Sequence, residues 1–281
     1  MHFVDFVNLE RDYDIINIGS GPSKYDFDWS VVSAAKGYNF AVAPEDFRYD
    51  ARILKHYGKY VKKNGTVLII ICPLSFAENK YLQKDWFSCK YVNILPPQDV
   101  DLPLWKYRML KNPIGLFIVE NLRRMTNIPY HIFNLFTSPS TLSPEKSLVA
   151  GWLKDNPYLR NLKDLPKGDL SSVFEIKRND FNTIIDICLA LDLKPVLILP
   201  PMSKTLNSFF SDSFLKIFVY DVLENISKDI PIFDYMTDEK YKNDDYFSNG
   251  LFLKKKYAQM FTKDVWMRIH TIYPDNNRSQ K

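Results

Sequence analysis

The residues best suited to chemistry form one turn, Gly19-Ser20-Gly21-Pro22-Ser23-Lys24-Tyr25-Asp26-Phe27-Asp28-Trp29. It follows the apolar run Ile15-Ile16-Asn17-Ile18. Two glycines let a backbone turn sharply and approach a ligand closely. Exposed amides in such a turn, with the hydroxyls of Ser20 and Ser23, suit an anion or an acyl oxygen. The same residues also describe a tight strand-to-helix turn whose serines cap the helix. Spacing excludes three other sites. No Gly-Lys-Ser/Thr follows as in a P-loop, and the glycines are wrongly spaced for a dinucleotide fingerprint. Gly21-Pro22-Ser23 carries only the first glycine of a nucleophile elbow.

A serine hydroxyl is a weak nucleophile without a base, and a positioned base is typically worth ~10²–10⁴-fold in rate. The chain has four histidines, His2, His56, His131 and His270. His56 and His270 fall in helical patterns, and His270 lies near a C-terminus where a cation suits the dipole. His131 lies in a long insertion and is the histidine to test. Asp26, Asp244 and Asp245 are the carboxylates that would stand in as base for Ser20 or Ser23. A second segment, Pro200-Pro201-Met202-Ser203-Lys204, follows another apolar run. Lys204 suits a phosphate or carboxylate and Ser203 a hydrogen bond; a rigid loop capping the next helix fits the segment as well. Trp29, Trp86, Trp105, Trp152 and Trp266 are candidates for stacking on sugar rings or for packing.

Strands and helices must position these residues. Five apolar runs read as strands: Ile15 to Ile18, Asn39 to Val42, Thr66 to Cys72, Pro195 to Leu199 and Ile230 to Phe233. Continuous β-branched runs suit strands buried on both faces, as in a parallel sheet. Helical stripes lie between them, at Phe47 to Lys63, Asn179 to Leu191 and Asp212 to Ile226, with a last helix from about Leu251 to Ile272. This alternation predicts an α/β three-layer sandwich around a five-stranded, mainly parallel sheet. Ligands bind such sheets at the carboxyl ends of the strands, near the switch in strand order, which is where Gly19 to Ser23 lies. Residues 76–177 break the rhythm with many prolines and aromatics. They read as a helical cap inserted between the third and fourth strands of one domain spanning 1–281. One cap helix is expected to start at Ser143-Pro144 and another to cover Ile114 to Met125.

Composition narrows the function. Of 281 residues, 46% are hydrophobic and 25% charged, which suits one large globular domain. The net charge of +4 is too small for a nucleic-acid footprint. Three cysteines, Cys72, Cys89 and Cys188, lie at no metal-ligand spacing and argue against a disulfide framework. No metal or cofactor is expected. The N-terminus lacks a signal-peptide pattern and no run is long enough to span a bilayer. The expectation is a cytoplasmic protein.

Five blocks carry a resemblance. Ile15 to Gly21, Tyr38-Asn39-Phe40-Ala41, Tyr49 to Lys55 and Val67 to Ser75 resemble the opening of SGNH/GDSL-type hydrolases, above all those of bacterial capsule and O-antigen loci. Asp245 to Leu253, running on to Thr262, resembles their final block. The resemblance implies a Ser nucleophile after the first strand and an Asp-x-x-His pair near the C-terminus, with the His as base and the Asp orienting it. The matching positions here are Gly21 for the Ser, Asn249 for the Asp and Phe252 for the His. Ala41 stands for the glycine of the second block, while Asn39 keeps its asparagine. Ser75, with Asn79 beyond it, occupies the region of the family's oxyanion donor. The resemblance thus implies a catalytically degenerate SGNH-like protein of surface-polysaccharide biosynthesis. It would bind a glycan, an acyl-sugar or a partner protein through Gly19, Ser20, Gly21, Ser23, Asn39, Ser75, Ser203 and Lys204. The alternative is an active acyl esterase or O-acyltransferase with a rearranged site, using Ser20 or Ser23 as nucleophile and amides near Gly21 as oxyanion hole. A third possibility is a structural subunit that assembles through the aromatic cap.

Overall fold

In the computed structural model, residues 6, 8–44, 46–78, 84–112, 142–165, 171–226 and 229–274 are described. Five strands form one sheet: β1 (Tyr13–Ile18), β2 (Gly37–Asn39), β3 (Val61–Ile70), β4 (Lys194–Leu199) and β5 (Ile232–Asp234). Their order is β2-β1-β3-β4-β5, and every pairing is parallel. The order reverses between β1 and β3, so the crevice of this open sheet lies beyond Ile18 and Ile70.

The strands form where the sequence offers unbroken β-branched runs, and both faces are dry as such runs require. Side chains alternate across the sheet. Ile15, Leu68, Ile70, Val196, Ile198 and Phe233 share a core with Ala258, Phe261, Val265 and Ile269 of the last helix, Lys255–Ile272. On the other face Ile16, Ile18, Val67 and Ile69 are fully buried. Helix Phe47–Tyr57 packs against helix Ser171–Ala190, which in turn packs on β4. The result is an α/β three-layer sandwich with an all-parallel sheet.

Several boundaries differ from the sequence pattern, each for a local reason. β2 ends at Asn39, before the buried Phe40 and Ala41, because the Asn39 side chain turns back to accept the amide of Ala41 at 2.9 Å. β3 begins at Val61, early enough for Val61 to pair with Tyr13; a register shift then brings Thr66 opposite Ile15. The last helix starts at Lys255 because Phe247 and Leu253 bridge as antiparallel partners and hold the segment before it as a loop. Helix Ser171–Ala190 starts earlier than its apolar stripe and so carries Lys177 into the interior. The helical run from Asp212 to Ile226 contains a π-turn over Lys216–Tyr220.

The chain divides into two compact units, one of residues 1–79 and 144–281, the other of residues 80–143. Helix Pro144–Asp155, with its proline at the first position as expected, belongs to the unit that holds the sheet. The smaller unit contains helices Lys84–Cys89 and Leu104–Lys111. There the Tyr107 hydroxyl donates to the carbonyl of Leu95 at 2.8 Å. The helix expected over Ile114 to Met125 lies outside the described residues.

Candidate functional site

The turn after β1 is built around glycine. Gly19 has φ +123°, and a Cβ there would lie 3.1 Å from the carbonyl oxygen of Ile70, so only glycine fits. Ser20 precedes a five-residue helix, Gly21–Tyr25, and its carbonyl accepts the amide of Lys24 at 3.0 Å. Gly21, Pro22 and Ser23 are buried, Ser20 and Lys24 are half-buried, and Tyr25 is exposed.

A buried polar network locks the turn from below. The Ser23 hydroxyl donates to the carbonyl of Ile18 at 2.9 Å and accepts from Asn17 Nδ2 at 2.8 Å. The same Asn17 amide donates to the Ser23 carbonyl at 2.7 Å, while its Oδ1 accepts the indole N–H of Trp29 at 2.7 Å. Asn39 Nδ2 donates to the carbonyls of Ser23 and Lys24 at 2.9 and 3.3 Å. Every polar atom of Asn17 is thereby paired, as a fully buried amide demands. Trp29 lies flat over Gly37, where a Cβ would come within 2.5 Å of Cδ2, so this tryptophan is a packing element. The Ser23 proton is committed to a carbonyl. Among the described residues its hydroxyl bonds to no histidine and no carboxylate.

The C-terminal block comes down directly on this turn. Asn249 Oδ1 accepts the amides of Leu251 and Phe252 at 3.2 and 2.9 Å, and the Ser248 amide donates to the Phe252 carbonyl at 2.8 Å. Gly250, at φ +82°, carries the tight reversal; a Cβ there would meet Glu145, Leu206 and Ser203 at 2.8–2.9 Å. The reversal aims the Phe252 ring at Gly21. A Cβ on Gly21 would lie 2.5 Å from Phe252 Cε1 and 2.7 Å from Cζ. Phe252 also packs on Tyr25, ring centroids 5.0 Å apart. The two positions matched to the nucleophile and the base are therefore in contact, and neither offers a reactive atom.

Asp26 ties the two segments together. It is fully buried, and its Oδ1 accepts the amide of Leu253 at 2.8 Å. Its Oδ2 has no hydrogen-bond partner among the described residues. Burial pushes the Asp26 carboxyl well above the ordinary range, and the Leu253 N–H pulls back only part of that. Burial thus disfavours its charged form, the form a general base needs. Asp244 is exposed and engaged otherwise, accepting the amide of Thr205 at 2.9 Å. Burial opposes its charge, but the hydroxyl and amide of Thr205 prevail and lower its pKa. Asp245 is exposed, and its backbone carbonyl accepts from Lys254 Nζ at 2.8 Å.

The remaining candidates divide between the rim and the scaffold. Ser203 is fully buried and caps helix Lys204–Asn207, accepting the Leu206 amide at 3.0 Å, while its own amide donates to Gly250 at 2.9 Å. Lys204 beside it is exposed. Ser75 Oγ accepts the Cys72 amide at 2.9 Å in the turn after β3. Asn79, His2 and His131 lie outside the described residues, as does the side chain of Trp86. His56 sits in helix Phe47–Tyr57, and His270 presents an edge contact to Trp266, with ring centroids 4.7 Å apart. Trp152 packs on Phe210. Trp105 is exposed in the smaller unit.

Two contributors escaped the sequence reading. Asn17 is a lone polar residue in an apolar strand, and that interruption was its only sign. The Asp26–Leu253 bond spans 227 positions and has no local signature.

Among the described residues, no group of three His, Cys, Asp or Glu side chains is placed to hold a metal ion, and no helix is long and apolar enough to cross a membrane. No protein-family model matches the chain, and no match is found among curated proteins.

Proposed function

We propose that this chain is a catalytically degenerate SGNH-hydrolase-like protein of bacterial capsule or O-antigen biosynthesis. It binds a glycan, an acyl-sugar or a partner protein at the rim of the β1 turn and performs no ester hydrolysis there. The supporting observation is the contact between Gly21 and Phe252. The pair that would form a hydroxyl–imidazole couple in an active relative is here a bare Cα against a phenyl ring. The Ser23 hydroxyl donates to a carbonyl and burial disfavours the charged form of Asp26, so this pair supplies no activated serine. What faces outward is a binding surface: the half-exposed edge of Phe252, the exposed Tyr25 ring and the cations Lys24 and Lys204. An aromatic ring with the Lys24 ammonium 5.7 Å from its centroid suits a sugar ring bearing an anionic substituent. Cys72, Cys89 and Cys188 form no disulfide, in keeping with a cytoplasmic stage of assembly.

The test has two arms. Incubation with a fluorophosphonate and with p-nitrophenyl acetate is expected to leave Ser20 and Ser23 unlabelled and turnover at background. Calorimetric titration with acetylated sugars and nucleotide sugars is expected to give saturable binding that Tyr25→Ala weakens. Labelling of Ser20 would replace this reading with an active acyl esterase or O-acyltransferase. Binding unaffected at Tyr25 would move the ligand elsewhere.

A further inference from the structure

Asp26 is an unusual anchor. A buried carboxyl is normally met by a cation or by several N–H donors. Asp26 is met by one amide, that of Leu253, and its second oxygen is unpartnered among the described residues. The surrounding elements bring no counter-charge. On its own helix, Ser23 is uncharged and Lys24 reaches the surface. Asn17 of β1 is neutral and fully paired. The C-terminal loop contributes Leu253, and its charged neighbours Asp244, Asp245 and Lys254 are exposed. The last helix contributes the Thr262 hydroxyl, which donates to the Ala258 carbonyl at 2.8 Å and accepts the Asp28 amide at 2.9 Å. Gln259 and Lys255 of that helix serve Asp28 instead. Lys256 and Lys263 are exposed.

We infer that Asp26 is a proton-loaded latch: its neutral carboxyl closes the segment from Phe247 to Leu253 onto the β1 turn, and loss of that proton opens the segment. The closed form tolerates only the uncharged acid, because an ionised carboxylate there would have one N–H and no cation. Opening admits water and returns the group to ordinary carboxylate behaviour. Between the ordinary carboxylate range and the raised value of the closed form, each opening event releases a proton. Rising pH therefore favours the open form by mass action, tenfold per pH unit, until the closed form itself ionises and the dependence levels off. The segment that opens carries Phe252 away from Gly21, so the latch governs access to the turn whatever ligand the turn takes.

Amide hydrogen exchange of the intact chain reads this directly. Exchange catalysed by hydroxide rises tenfold per pH unit for any amide. Where pH lies between the ordinary carboxylate range and the raised value of the closed form, the Leu253 amide should gain a further factor of about ten per unit from the latch, so that over two pH units its rate rises about 10,000-fold instead of about 100-fold. It should also exchange faster than the Ile71 amide, which bonds to the carbonyl of Ile198 in the sheet interior and reports global unfolding. In Asp26→Asn the Leu253 rate should rise only about 100-fold over the same range. The inference is overturned if wild-type Leu253 shows only the ordinary rise. It is equally overturned if Leu253 exchanges at the Ile71 rate. Failure of Asp26→Asn to fold leaves both wild-type criteria standing.

Discussion

A serine at position 21 should destabilise the fold on its own and be tolerated when Phe252 is also changed. Gly21 has no left-handed φ, so its backbone accepts a serine. The obstacle is steric. A Cβ at 2.5 Å from Phe252 Cε1 sits about 1 Å inside ordinary carbon–carbon contact. The phenyl ring must give way, because its backbone is pinned at the amide by Asn249 and at the carbonyl by Ser248. The ring is half-exposed, so it has somewhere to go, at the expense of its packing on Tyr25. Overpacking of this kind costs about 1–3 kcal/mol, and the exposed escape route places Gly21→Ser at about 1–2 kcal/mol. Removal of the ring by Phe252→Ala opens the space that the serine needs. In that background Gly21→Ser should cost under about 0.5 kcal/mol, which makes the coupling about 1 kcal/mol or more. Urea unfolding of the four proteins of the cycle measures it. Additivity within about 0.3–0.5 kcal/mol would mean that the contact is not limiting and that the steric account of the turn is wrong.

Four further outcomes follow. Gly21→Ser combined with Phe252→His and Asn249→Asp should acquire fluorophosphonate labelling at residue 21, with a rate gain of about 10²-fold or more from the new base; an unreactive triple variant would mean that the loop does not hold a base at that position. Asp26→Asn should raise stability at neutral pH. The wild-type acid is raised in the folded state, so its folded protein is most favoured below the ordinary carboxylate range and loses stability as pH rises towards the raised value. Urea midpoints from pH 4 to 8 should therefore slope downward in the wild type and flatten in the variant. Ser23→Ala should cost about 1–3 kcal/mol by stranding the Ile18 carbonyl and the Asn17 amide, without altering the background esterase rate in a p-nitrophenyl acetate assay. Gly250→Ala should cost more than about 1 kcal/mol, because φ +82° and contacts at 2.8–2.9 Å both oppose a side chain; thermal melts suffice to show it.

The sheet was legible because its evidence is local. Val67 to Ile71 and Val196 to Leu199 are unbroken apolar runs, and burial on both faces is the physical reason for such runs. The glycine turn was legible for the same reason, since Gly19 answers to a local demand on φ. Boundaries were read less well. Nothing in Lys62-Lys63-Asn64-Gly65 signals strand, and its inclusion in β3 comes from pairing with β1, a tertiary effect. Ser23 and Ser203 illustrate a different limit. Both were read as hydroxyls available to a ligand, and both are fully buried caps or struts. Residue type states what a hydroxyl is able to donate; only the fold states to whom. Asp26 shows the limit most clearly, because its burial depends on surroundings assembled from residues more than two hundred positions away.

Residues 21, 249 and 252 are physically coupled, which supports the proposed degenerate reading. A phenyl ring at 252 occupies the space that a side chain at 21 would take, as the 2.5 Å approach shows, so a side chain there displaces the ring. Without an imidazole to orient, residue 249 needs only an acceptor for the amides of 251 and 252, and an uncharged Asn supplies it. A charged Asp at 249 would gain nothing from Phe252. On the proposed reading, each of these residues removes the physical reason for a catalytic residue at the other two positions. A site kept for binding retains the turn, and the turn is what Asn17, Ser23 and Asn39 hold in place with bonds of 2.7–2.9 Å. If the turn is no binding rim, the network serves the fold alone, and its loss changes stability and nothing else. Asn17→Leu with Ser23→Ala tests the point. If the pair is stable yet loses sugar binding, the network serves the shape of the rim; if binding is untouched, it serves only the fold.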